Sequence, residues 1–136
     1  MEQSAELRDV MLKFYEALSS GDMSFIDRHI STSEHVRGIG TDPGEWWSGQ
    51  KLLQVWKEQM VALGGTMPLT AGDLEAYADG NVGWAADRPR LDVGDGNPVA
   101  LRLTAVFRKE DGDWKLVQSH GSIGLSNEST FGELPT

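Results

Sequence analysis

Cysteine is absent from the chain, so disulfides, thiolate metal sites and cysteine nucleophiles are all excluded. Histidine is scarce. His29, His35 and His120 lie far apart with no HxH or HExxH spacing, and no metal site is expected. Basic residues are few, 12 against 21 acidic ones, for a net charge of -9. The deficit is even: residues 1–68 hold 6 basic and 10 acidic side chains, residues 69–136 hold 6 and 11. Nothing forms the basic stripe that a phosphate backbone requires, so nucleic acid is not an expected partner. No apolar run approaches the roughly 20 residues of a membrane span, and no membrane partner is expected. The opening Met1-Glu2-Gln3-Ser4-Ala5-Glu6 is acidic and unlike a signal peptide, which makes the cytoplasm the expected location. Gly94-Asp95-Gly96 sits in an acidic turn that would repel phosphate, and no nucleophile elbow is present. No cofactor is expected, and any chemistry would be acid–base work by side chains.

What is present starts with a helical stripe. Leu7, Val10, Met11, Phe14 and Leu18 fall at i, i+3, i+4, i+7 and i+11. Ser20-Gly21 ends that helix, and Asp22 is placed to cap a short second one from Met23 to His29. Glu34 to Ile39 reads as a short strand. A Gly/Pro loop then carries Trp46 and Trp47, and Ser48 is placed to cap a third helix from Gly49 to Leu63, with Leu52, Leu53, Trp56, Met60 and Leu63 as its stripe. Adjacent tryptophans in such a loop serve core packing or line a cavity; both readings stay open.

Strands fill the rest. Leu69 to Ala78 and Val82 to Leu91 join at Asp79-Gly80-Asn81, and a polar connection leads to the last hairpin, Pro98 to Ile123. Reading Glu110-Asp111-Gly112 as a three-residue turn opposes Arg108 to Trp114, Val106 to Leu116, Thr104 to Gln118 and Arg102 to His120. That face trades apolar groups near the turn for polar ones at the far end, as a pocket wall would. At 136 residues this is one domain, of α+β class.

The element order, with Gly40-Thr41-Asp42-Pro43-Gly44-Glu45-Trp46-Trp47 before the third helix and Gly112-Asp113-Trp114-Lys115-Leu116-Val117-Gln118-Ser119-His120-Gly121-Ser122 at the end, resembles the SnoaL-like group of the nuclear transport factor 2 superfamily. That superfamily holds ketosteroid isomerases, polyketide cyclases, dehydratases and non-enzymatic association domains. The resemblance covers roughly residues 5–123, leaving 124–136 as a C-terminal tail. It implies a cone-shaped fold, three N-terminal helices packed on a strongly curved, mainly antiparallel sheet, with an apolar pocket and a homodimer through the outer sheet face. By position it implies a pocket floored by Trp56 and walled by Arg102, Gln118 and His120. The region that carries the isomerase base offers Glu34 and His35 here, and the first helix offers Tyr15.

The leading reading is binding of a small apolar molecule with a carbonyl or carboxylate, and its enzymatic form is a cofactor-independent isomerase, cyclase or dehydratase. In that form His120 moves a proton and Arg102 steadies an oxyanion, while Tyr15, His35, Trp47, Trp56, Thr104 and Gln118 line the pocket. The alternatives are a binding module without turnover and an assembly domain centred on an outer face of Leu101, Leu103, Phe107 and Val117.

Overall fold

The computed structural model describes all 136 residues. Its elements run β1 (Glu2–Gln3), α1 (Ala5–Ser20), α2 (Met23–His29), β2 (Arg37–Ile39), β3 (Trp46–Ser48) and α3 (Gln50–Ala62). There follow β4 (Leu69–Thr70), β5 (Glu75–Asp79), β6 (Val82–Asp87), β7 (Arg90–Leu91), β8 (Val99–Ala100), β9 (Arg102–Glu110), β10 (Asp113–Ser122) and α4 (Asn127–Phe131).

The first two helices form where their end signals sit. Ser4 Oγ accepts from the Leu7 amide at 3.1 Å, and Gly21 at φ 77° closes α1 in the left-handed conformation. Asp22 accepts from the amides of Ser24 and Phe25 to open α2. The third helix starts differently from expectation. Ser48 ends β3, and Gly49 at φ 57° opens α3 with no side-chain cap.

Seven strands make one sheet in the order β1-β5-β6-β9-β10-β2-β3, with β2 parallel to β10 and every other pairing antiparallel. A separate antiparallel sheet is ordered β4-β7-β8. The expectation of a single, strongly curved, cone-shaped sheet is corrected by this topology. There are four helices, and the large sheet is mixed and open, with β1 and β3 as free edges, so it neither curls up strongly nor closes.

The reason lies at one level across three chain segments. The reading Val82 to Leu91 breaks at Arg88-Pro89, because Pro89 is buried and has no N–H to give the ladder. Leu69 to Ala78 breaks at Gly72, where the Arg88 carbonyl presses so close that no side chain would fit. The third break is Leu101, whose amide donates to the Pro89 carbonyl at 3.0 Å. Beyond these breaks the strand ends pair only with each other, as the small sheet.

The last hairpin is also built otherwise than expected. Asp111 (φ 53°) and Gly112 (φ 82°) form a two-residue turn, so Asp113 faces Glu110 and Leu116 faces Phe107. A bulge at Val117 then shifts the register: Gln118 faces Val106, His120 faces Thr104 and Ser122 faces Arg102. Arg102 and His120 are therefore not opposed. The bulge puts Trp114 and Leu116 on the same buried face as Ser119, together with Ala105 and Phe107 of β9.

The core lies between that face and the helices. Leu7, Met11, Phe14 and Leu18 of α1 are buried, and Phe14 meets Phe25 edge-on at 5.3 Å and Phe107 at 5.9 Å between ring centres. Leu52 of α3 is buried against Gly38 of β2, where a Cβ would collide with its side chain. Gly38→Ala is expected to cost about 1–3 kcal/mol through overpacking, read as a lower urea midpoint at unchanged slope. An unshifted midpoint would mean that α3 yields without loss.

Candidate functional site

Between α1, α3 and the inward face of β9 lies a cavity of about 500 Å³, within the range of small-molecule sites. Met11, Phe14, Leu18 and Tyr15 reach it from α1 because they share the helix's buried stripe, and Trp56, Gln59 and Leu63 reach it from α3. Leu101, Leu103, Ala105 and Phe107 face it from the β9 segment, and Ser119 and Gly121 from β10 beyond the bulge. Of its 26 lining residues 19 are hydrophobic, and none is Lys, Arg or His. The one charged residue is Glu45. Its carboxylate accepts from the Asp42 amide at 2.9 Å and from Gln59 Nε2 at 2.8 Å, which ties the tryptophan loop to α3.

A buried polar feature of the wall is Tyr15. Its hydroxyl donates to Asp87 Oδ2 at 2.9 Å, in a buried contact between residues 72 positions apart. Asp87 itself does not line the cavity; Oδ1 accepts from the amides of Arg88 (2.8 Å) and Gly72 (3.1 Å) at the strand breaks described above. Burial, the adjacent Asp87 charge and the hydrogen bond to it, in that order, hold the Tyr15 phenol far above its ordinary value of 10.0.

Tyr15, Trp47 and Trp56 line the cavity. The other expected site residues do not meet there. His35 and Gln118 border a second hollow on the outer side of the sheet, beside Val82, Val106 and Val117. Arg102, Thr104 and His120 are exposed on that outer face, where Arg102 Nε donates to Ser122 Oγ at 3.3 Å. The faces of β9, and of β10 beyond the bulge, are thus the reverse of the expectation, whereas Trp114 and Leu116 face inward as expected. Leu101, Leu103 and Phe107, read as the centre of an outer assembly face, are cavity wall. No three His, Asp or Glu side chains come together as a metal group.

Asp87, Leu103, Ser119 and Gly121 are what sequence reasoning missed at the site. The signal for Leu103 was present, since Leu101-Leu103-Ala105-Phe107 is the more apolar alternation of its strand and the helices need such a face. For Asp87, no local spacing announces a tyrosine 72 residues away.

With this geometry in place, the sequence pattern of the SnoaL-like domain matches residues 7–126. The chain belongs to the SnoaL-like domain family. That family is part of the NTF2-like superfamily. Among solved structures, an NTF2-like protein of unknown function from Pseudomonas putida KT2440 is similar at TM-score 0.80 and 19% identity, over 92% of this chain and 89% of that one. A proposed dehydratase of the NTF2-like family from Streptomyces avermitilis is similar at TM-score 0.72 and 20% identity, over 89% and 95%. A proposed calcium/calmodulin-dependent protein kinase type II association domain from Thiobacillus denitrificans follows at 0.71 and 21%, over 85% and 93%. At such identities the likeness is one of fold. No curated protein sequence matches the chain. No helix is long and apolar enough to cross a membrane.

The Tyr15 environment has a consequence for stability. The unfolded chain ionises this phenol near pH 10 and the folded one does not, so the unfolded state binds fewer protons above that pH. The contribution is complete below about pH 10 and falls above it by about 1.4 kcal/mol per pH unit. Tyr15→Phe should be less stable at pH 8 by roughly 1–3 kcal/mol, because Asp87 loses a donor. The gap between the two proteins, measured by urea unfolding from pH 8 to 11, should narrow above pH 10. A gap that stays constant would show a phenol free to ionise in the folded state.

Proposed function

We propose that this protein binds a small, largely apolar molecule in the cavity between α1, α3 and β9. The observation that carries this reading is the cavity itself: about 500 Å³, walled by aliphatic and aromatic side chains, with a few polar groups to orient a guest. Burying apolar surface there stabilises a complex by about 25 cal/mol per Å² before the costs of association. The acid–base form of the function has a narrow basis. Tyr15, with Asp87 behind it, and Glu45 are the ionisable groups at hand, whereas His120 and Arg102 stand outside. Binding is therefore favoured over turnover, even though a proposed dehydratase shares the fold.

Self-association through the outer sheet face belongs to the same proposal. Val82 is 48% exposed there, Trp84 stacks on Tyr77 at 5.0 Å, and Val106 lies across the ladder from Trp84. An apolar strip in the middle of an open sheet face is what a second copy would cover. Sedimentation should give twice the 14.9 kDa chain mass, and Val106→Glu should shift it to the monomer. A wild-type monomer at tens of micromolar would remove this part.

Gly121 offers a clean test of the cavity, because it lines the wall and a Cβ added there meets nothing within 4 Å. Wild type should enhance the fluorescence of the neutral dye N-phenyl-1-naphthylamine. Gly121→Phe, which fills the space without crowding the backbone, should lose at least tenfold in dye affinity with its urea midpoint little changed. Equal binding by both proteins would place the dye elsewhere and sink the reading.

A further inference from the structure

We infer that the cavity selects molecules that donate a hydrogen bond, chiefly neutral alcohols, and discriminates against carbonyl compounds and anions of the same shape, with Tyr15 as the selecting residue. The inference rests on the binding reading above and adds the ligand's polarity to it.

A free tyrosine hydroxyl both donates and accepts. Here the single proton is committed: Tyr15 donates it to Asp87 at 2.9 Å inside the protein. Asp87 has nothing to return, because its remaining contacts are backbone amides that also donate, from Gly72 at 3.1 Å and Arg88 at 2.8 Å. Tyr15 is part of the cavity wall, and what its phenol oxygen has left to offer a guest is acceptor capacity. A guest hydroxyl or N–H satisfies it. A guest carbonyl sets oxygen against oxygen and leaves both unpaired, which is the condition under which a buried polar site rejects an analogue most strongly.

Charge points the same way. No cation lines the cavity to neutralise an anion, and the two carboxylates near it, Glu45 on the wall and Asp87 behind Tyr15, would repel one. Arg88, next in sequence to the lining Pro89, is exposed and engaged with Asp73, and Arg90 and Arg102, each set between two lining residues, are themselves exposed. A carboxylate ligand, part of the expectation from sequence, is the class that this wall suits least.

The test uses three molecules with a naphthalene body as competitors of N-phenyl-1-naphthylamine at pH 8: 1-(2-naphthyl)ethanol, 2-acetylnaphthalene and 2-naphthoate. The alcohol should displace the dye at a concentration at least fivefold below the ketone and at least tenfold below the carboxylate. Tyr15→Phe should bring alcohol and ketone within twofold of each other, whereas a structural role alone would weaken both and leave their ratio unchanged. Asp87→Asn is the stronger variant. Its amide N–H can donate to the Tyr15 oxygen, which frees the phenol proton for the guest and should reverse the order in favour of the ketone. Equal potency of alcohol and ketone in wild type, or a ratio that survives Tyr15→Phe, would overturn the inference while leaving the cavity a binding site. If the dye itself does not bind, the binding reading falls and this one with it.

Discussion

A single buried carboxylate joins the parts of this molecule. Asp87 closes β6 at the point where the sheet stops, and it stands where ladder bonds are lost. Pro89 has no amide to give, and Gly72 is pressed against the Arg88 carbonyl, so two backbone amides need an acceptor that no neighbouring strand supplies. Asp87 accepts from both and takes a third hydrogen bond from Tyr15 on α1. The strand breaks, the split into two sheets and the seating of the first helix all meet at that side chain. An unpaired carboxylate in this place would be costly; three donors offset the cost and fix where each donor sits.

The helical part of this arrangement is legible in the sequence because its signals are local. The stripe from Leu7 to Leu18, Gly21 as the left-handed stop and Asp22 as the next cap each act within a few residues, and α1 and α2 form where those signals stand. The existence of β2 and of the long strands is legible for the same reason, whereas β1 and β3 are not legible as strands and Trp46-Trp47 reads as loop. The faces of the long strands are not legible. A two-residue turn in place of three, and one bulge at Val117, decide which alternation of β10 looks inward, and a slip of one residue exchanges the faces. Assigning the polar end of the hairpin to a pocket put His120 and Arg102 inside, whereas the energetically larger demand was to bury Leu103, Ala105 and Phe107 under α1. Apolar content was the better guide to the inside than apparent chemistry.

The curvature of the sheet failed for a different reason. A long apolar alternation such as Val82 to Leu91 reads as one strand unless Pro89 is given full weight, and a proline inside a central strand removes a ladder bond. The resemblance was sound at the level of family, and the chain matches it over residues 7–126, whereas the strongly curved cone that it implied is not what the sheet forms. The resemblance could not supply the local break, because the break depends on what Gly72, Asp87 and Pro89 do together in this chain.

The same three residues shape the chemistry available to the site. Had the sheet run on without interruption, the amides of Gly72 and Arg88 would have found strand partners, and a carboxylate behind Tyr15 would have had only the phenol to satisfy it. The break instead supplies amide donors to Asp87, whose oxygens accept from them and from Tyr15, and this commits the tyrosine proton and leaves an oxygen that only accepts. The polarity of an apolar pocket is thus set by backbone that does not line it, and reading that polarity from the lining residues alone would assign Tyr15 the opposite role.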